Sequence, residues 1–180
     1  MNTKHTAISV REMVHAALFA AVLCATAPFS ITIGPIPLTF ATLVIYIAAG
    51  SLSWKCSAMS VVLYVALGAV GLPVFSHFEG GFHKIAGVTG GYIIGYIPCA
   101  IALGIIIDMF GDARWIYTIG MVFGTALLYA CGTAWFMIQT GSSLAVSLIL
   151  CVKPFLIGDA IKIMLACIIT PKLRAALLRL

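Results

Sequence analysis

Apolar stretches about as long as a membrane is thick, parted only by short polar or Gly/Pro breaks, run through nearly the whole of this chain. A helix that crosses a bilayer needs about 20 mainly apolar residues. No segment between the stretches is suited to a soluble domain. Hydrophobic residues make up 63% of the 180 residues, only 8% are charged, and the mean hydropathy is +1.18. A soluble domain would carry about a quarter charged residues. The expected fold is therefore all-α, a single integral membrane domain over residues 1–180 with six transmembrane helices. Cys24, Cys56, Cys99, Cys131, Cys151 and Cys167 are scattered singly with no CxxC pair, so they indicate neither a disulfide framework nor a zinc site and read as apolar helix filling.

The helices are expected over about residues 12–30, 39–52, 56–74, 92–107, 115–139 and 154–170. The ATA at residues 25–27, behind a basic start, has the look of a signal-peptide cleavage site. Pro28 follows directly and sits badly in an extended protease site, so the segment is kept as the first helix. In ITIGPIPLTF, residues 31–40, Pro35 and Pro37 forbid regular helix and Gly34 permits a tight bend. The second helix then has only about 14 residues, roughly 21 Å, against a hydrocarbon core near 30 Å. The apolar loop before it is expected to dip into the membrane, where irregular backbone is tolerated only if it packs on protein or lines a cavity. FSHFEGGFHKIAGVTGG, residues 75–91, is the longest polar break and reads as a flexible loop.

Charge sets the orientation. With the N-terminus inside, Lys4, Arg11, Lys55, Arg114, Lys172, Arg174 and Arg179 fall on the cytoplasmic side and Lys84 and Lys153 outside, seven against two, as the positive-inside rule requires. Both termini are thus expected in the cytoplasm, in the cytoplasmic membrane. The net charge of +5 follows from topology and requires no nucleic acid, although such a face also favours anionic lipid headgroups.

The tenth basic residue, Lys162, is the only one expected inside a helix span, and Asp159 the only acid. A mid-membrane Asp or Lys opposes insertion by about 2.5 to 3.5 kcal/mol unless paired or solvated. At i and i+3 the two share a helix face. One reading is a structural ion pair that locks the last helix to its neighbours. Another is a receptor for a polar substrate: ionised Asp only accepts hydrogen bonds and Lys only donates them, which complements a cyclic urea or amide, and a carboxylate on Lys162 is equally allowed. A proton relay lacks a second carboxylate or histidine at that depth.

GPIPLT at 34–39, LYVALGAVGLPVF at 63–75, the glycines at 80 and 81, TGGYIIGY at 89–96 and DAIK at 159–162 are each weak signals, but in this order and spacing the sequence resembles the BioY family, the biotin-specific S components of energy-coupling factor (ECF) transporters. The resemblance implies a six-helix S-component-like domain that binds biotin near its outer face, with Asp159 and Lys162 in the pocket. The substrate site expected on this basis comprises Asp159, Lys162, Thr39, Phe75, His77, Lys84, Gly90, Gly91 and Tyr92. Biotin is then the substrate, with no cofactor and no metal. The implied partners are a membrane-embedded coupling subunit and two cytoplasmic ATPases. The chain departs from the family pattern at Phe40, Ala41 and Val88.

Other features have plainer readings. Gly90, Gly91 and Gly95 lack the GK[ST] of a phosphate loop and suit close packing at a helix start. Gly120, Gly124 and Gly132 form a stripe expected to pack within the chain. His77, His83 and Glu79 are expected to be solvated rather than metal-bound. On the first helix Ala17, Ala21 and Ala25 share one register and Ala16 and Ala20 the next; small residues at i, i+4 admit a second helix. In the resembling family that face docks on the coupling subunit. No GxxxxGK[ST] occurs, so energy must come from partners or a gradient. The expected protein is therefore not an enzyme. The alternatives are a membrane enzyme acting on a lipid or small polar substrate with Asp159 as base, for which no nucleophile or metal cluster is apparent, and a purely structural membrane subunit that binds no small molecule.

Overall fold

A computed structural model of the chain describes residues 9–32, 34–177 and 179; Lys4, counted in the charge bias, lies outside them. Helix α1 (Val10–Thr26) opens on a capping box in which the Ser9 hydroxyl accepts from the Glu12 N–H and the Glu12 carboxylate accepts from the Ser9 N–H. It stops at Thr26, short of the expected Ser30, because Pro28 lies just beyond. The apolar segment that follows is a small antiparallel hairpin, β1 (Ser30–Thr32) with β2 (Pro37–Thr39), in register Ser30 to Thr39 and Thr32 to Pro37. The prolines that forbid helix are compatible with an edge strand, and Gly34 supplies a left-handed turn residue at φ 86°.

Helix α2 (Ala41–Ser51) has 11 residues, nine of them buried. It is the central post of the bundle, in contact with α1, α3 (Trp54–Ala69), α5 (Gly90–Phe110) and α8 (Phe155–Leu177). The break expected to be a flexible loop holds a single 3-10 turn at Ser76–Phe78 and the short α4 (Phe82–Ala86). Helix α6 (Arg114–Thr140) packs on α5 through the small-residue stripe: a Cβ on Gly120, Gly124 or Gly132 would run into Leu103, Cys99 or the Tyr92 ring, all on α5. Helix α7 (Leu144–Cys151) joins α8 across a 49° bend. α8 continues through Pro171 to Leu177 rather than ending at residue 170, since neighbouring helices can satisfy the backbone that a proline frees. Among the described helices, α5 and α6 are each long and apolar enough to cross a membrane, and the bent pair α7 and α8 makes a third span if taken together.

The two ends of the bundle differ. At one, the Arg174 guanidinium meets the Asp112 carboxylate at 3.2 Å and donates to the Gly50 carbonyl at 3.2 Å. Asp108 in turn accepts from the Trp54 N–H at 3.1 Å, and Arg11 donates to the Leu177 carbonyl. These contacts gather the start of α1, the turn between α2 and α3, the turn between α5 and α6, and the end of α8. The hairpin, the 3-10 turn, α4 and the break between α7 and α8 occupy the other end.

Candidate functional site

Asp159 and Lys162 lie in the first turns of α8, one helical turn apart, and both are buried, at 5% and 7% exposure. The Lys162 ammonium donates to Asp159 Oδ1 at 2.9 Å and to the Thr42 hydroxyl at 2.9 Å. Asp159 Oδ2 accepts from the Tyr129 hydroxyl at 2.6 Å, and Thr42 reaches Oδ1 at 3.4 Å. Three helices, α2, α6 and α8, thus converge on one carboxylate. Two of the three Lys162 donors are used within the protein, which leaves one for a further acceptor.

Above the pair lies a small cavity of about 20 Å³, walled by Thr39, Tyr92, Tyr96, Leu128 and Phe155 and roofed by Pro37 of the hairpin. Pro37 also lines a second, larger cavity of about 320 Å³, together with His77, Glu79, His83 and Lys84. The hairpin is therefore a partition between an inner and an outer chamber. It is held down from above. The His77 ring lies 2.8 Å from the Thr32 hydroxyl, the His77 N–H donates to the Pro28 carbonyl at 3.0 Å, and Phe78 packs edge-on against Phe29 with ring centres 5.4 Å apart. His77 and Phe78 both carry left-handed backbone, φ 62° and 57°, which is unfavourable for residues other than glycine and persists because these contacts fix the turn.

The residues expected in the site separate into four groups. Asp159, Lys162, Thr39 and Tyr92 come together at the inner chamber; the Tyr92 hydroxyl also donates to the Cys151 carbonyl at 2.5 Å, tying α5 to the end of α7. His77 and Lys84 line the outer chamber, where Lys84 pairs with Glu79. Phe75 borders neither chamber. It is buried at 2% exposure, seated on Gly68 and edge-on to Tyr64 at 5.7 Å, with Tyr64 in turn beside Tyr96. Gly90 and Gly91 also stay outside both chambers: a Cβ on Gly91 would strike the Trp135 side chain, and one on Gly90 the Ile85 carbonyl, so they serve the close approach of α5 to α6 and α4.

Sequence reasoning passed over Thr42, Tyr96 and Tyr129. Two of them left a signal, since Tyr96 stands four residues after Tyr92 and Thr42 three after Thr39, each on the same helix face or the turn leading into it. Nothing in the sequence of α6 distinguishes Tyr129 from its neighbours; its role is set by the crossing of α6 and α8. On α1, the two alanine registers part company. Ala16 and Ala20 are buried, whereas Ala17, Ala21 and Ala25 face outward.

The fold defines the class first. Over 97% of this chain and 95% of the other, with a TM-score of 0.84 and 26% sequence identity, the structure is similar to the crystal structure of the S-component for biotin from an ECF-type ABC transporter. The chain has the all-helical S-component fold. It belongs to the BioY family, whose family model matches residues 1–179. Among curated relatives, it is 32% identical over 168 residues to the biotin transporter BioY of Thermotoga maritima, covering 92% of this chain and 96% of that one. It is 34% identical over 167 residues to the probable biotin transporter BioY of Pyrococcus horikoshii, covering 93% and 98%.

Proposed function

We propose that this protein captures biotin at the outer face of the cytoplasmic membrane and delivers it inward as the substrate-specific component of an ECF-type transporter. The observation that carries the reading is the buried Asp159–Lys162 pair, enclosed by Thr42 and Tyr129 beneath a partition that separates it from an open outer chamber. Biotin offers a cyclic urea with two N–H donors and one carbonyl acceptor. A carboxylate beside an ammonium with a donor to spare matches that face, and Tyr92, Tyr96 and Phe155 supply apolar walls for its sulfur ring. The carboxylate tail then reaches toward His77 and Lys84 in the outer chamber.

The inner chamber, at about 20 Å³, is far below the roughly 300 Å³ of a small-molecule site. Binding thus requires the hairpin to lift, which merges the chambers through Pro37, the residue that lines both. Thr39 at the hairpin's end, within 3.4 Å of the Tyr96 hydroxyl, is the point at which that movement reaches the site.

In the membrane, α1, α2, α3, α5, α6 and the bent pair of α7 and α8 make six passes, with the hairpin completing the short second one. The clasped end, which carries Arg11, Lys55, Arg114 and Arg174, faces the cytoplasm by the positive-inside rule. The outward face of Ala17, Ala21 and Ala25 receives a helix of the coupling subunit, and two ATPases power release. The relatives are named as transporters, which supports binding without chemistry over the enzyme alternative. Radiolabelled biotin incubated with the purified protein in detergent tests this: it should be retained tightly and recovered unmodified. Recovery of an altered product, or no retention, would contradict the proposal.

A further inference from the structure

Asp159 borders a second cavity besides the inner chamber. Between α6 and α8 runs a groove of about 270 Å³, formed by Val122, Ala126 and Tyr129 of α6 and Leu156, Asp159 and Ala160 of α8. Val122 and Leu156 are more than half exposed, and Ala126 and Ala160 are exposed too, so the groove is open at the surface of the bundle. Helix α6 is long and apolar enough to cross a membrane, and Tyr129 lies about 16 Å before its end at Thr140. In a bilayer that opening faces hydrocarbon.

The groove and the inner chamber have Tyr129 and Asp159 in common and no other lining residue. The 2.6 Å hydrogen bond between these side chains is therefore the wall that divides them. Asp159 Oδ1 is met by Lys162 and Thr42, whereas Oδ2 has Tyr129 as its one partner among the described residues. A carboxylate that meets hydrocarbon loses the hydrogen bonds its charge requires. Tyrosine suits such a wall because its body is apolar and its tip is polar. A leucine would fill the gap and leave Oδ2 unpaired, and a serine would leave the gap.

We infer that Tyr129 is a positioning residue that seals the ligand-receiving carboxylate from the bilayer: its ring closes the groove and its hydroxyl holds Oδ2, which keeps Asp159 with Lys162 at the inner chamber. This role deepens the reading of Asp159 as a ligand receptor and rests on that reading only where affinity is concerned.

Carbodiimides add to a carboxyl group, its oxygen bonding the central carbon and its proton passing to a nitrogen. The full chain in nanodiscs, without biotin, is treated in parallel with lipid-soluble dicyclohexylcarbodiimide and with a charged, water-soluble carbodiimide. Consumption of the peptide carrying unmodified Asp159 is followed by mass spectrometry. The ratio of the two rates reports the route of approach and is insensitive to the reactivity of the carboxyl itself. Tyr129→Ala should raise the ratio several-fold, and Tyr129→Phe, which keeps the ring, should leave it as in the wild type. Ala126→Trp, which fills the groove from an exposed position, should lower the ratio even with Tyr129 in place, so the test stands if Tyr129→Ala does not fold. Tyr129→Phe should weaken biotin binding about tenfold, the lower end for a hydrogen bond to a charged group. An unchanged ratio in Tyr129→Ala, an equal rise in Tyr129→Phe or an undiminished ratio in Ala126→Trp would overturn the seal, and full biotin affinity in Tyr129→Phe would overturn the positioning. If the wild type bound no biotin, the function proposed above would fall, and the labelling ratio would still decide the seal.

Discussion

Helix α8 carries two ion pairs, about 20 Å apart along its axis, and they are built differently. Arg174 and Asp112 are partly in solvent, with side chains 21% and 56% exposed, and the guanidinium also holds the carbonyl of Gly50. The side chains of Asp159 and Lys162 are only 7% and 9% exposed, and both border the inner chamber. A clasp at the edge of a bundle can be made with little desolvation, as the first pair is. Burying two ions carries a penalty of several kcal/mol each, which their attraction offsets only when further hydrogen bonds complete the set. Thr42 and Tyr129 provide those bonds, yet one Lys162 donor is still unused. The contrast supports fastening for the first pair and ligand reception for the second.

Substitutions can break or sharpen that contrast. The largest effect on biotin affinity is expected from Asp159→Asn, which replaces an acceptor-only group with a mixed one, and from Lys162→Met, which keeps the stem and removes the donors. Each should weaken binding by roughly 1.5 to 3 kcal/mol, as for a lost charge-assisted hydrogen bond, read by titration calorimetry. The hairpin comes next. Pro35→Gly or Pro37→Gly loosens a partition that must re-form over the ligand, and each should lower affinity about two- to fivefold through the added backbone freedom. Unchanged affinity in both would remove the hairpin from the site.

Arg174→Met should leave biotin affinity alone and lower stability by roughly 1 kcal/mol, the upper range for a partly exposed pair, seen as a fall in melting temperature. A drop in affinity as large as that of Lys162→Met would erase the distinction between the two ends. The smallest effect on binding, none, is expected from Ala17→Trp and Ala21→Trp on the outward face of α1. These should abolish uptake in cells that supply the partner subunits, because a bulky side chain blocks close helix approach. Parallel loss of binding and uptake would place these alanines in the domain's own packing.

Much of this was legible in the sequence. The near absence of charge set the helical membrane fold, and an intramembrane Asp and Lys at i, i+3 marked the centre of the candidate site. Pro35, Gly34 and Pro37 announced that the segment before α2 is not helix, but the contact that anchors its hairpin, Thr32 with His77 in the turn at Ser76–Phe78, joins residues more than 35 apart in sequence. Long-range placement also explains the expected positions that lie outside both chambers. Phe75, Gly90 and Gly91 lie in motif segments that flank the chambers, and only the crossing of α5 with α6 and the seat on Gly68 turn them to packing. Tyr129 was invisible for the same reason, since a single tyrosine on an apolar helix gains its meaning from the carboxylate that α8 brings to it.

The central claim, that the buried pair receives the ligand rather than only locking α8 in place, is tested most directly by the double variant Asp159→Asn/Lys162→Met, with melting temperature and biotin affinity measured on the same samples. Either single change leaves a buried charge without its partner and should destabilise by up to about 3 to 5 kcal/mol, whereas the double change removes both charges and should recover most of that loss. The account predicts that the double variant regains its melting temperature and still binds biotin poorly. A double variant that regains both its stability and full biotin affinity would contradict it.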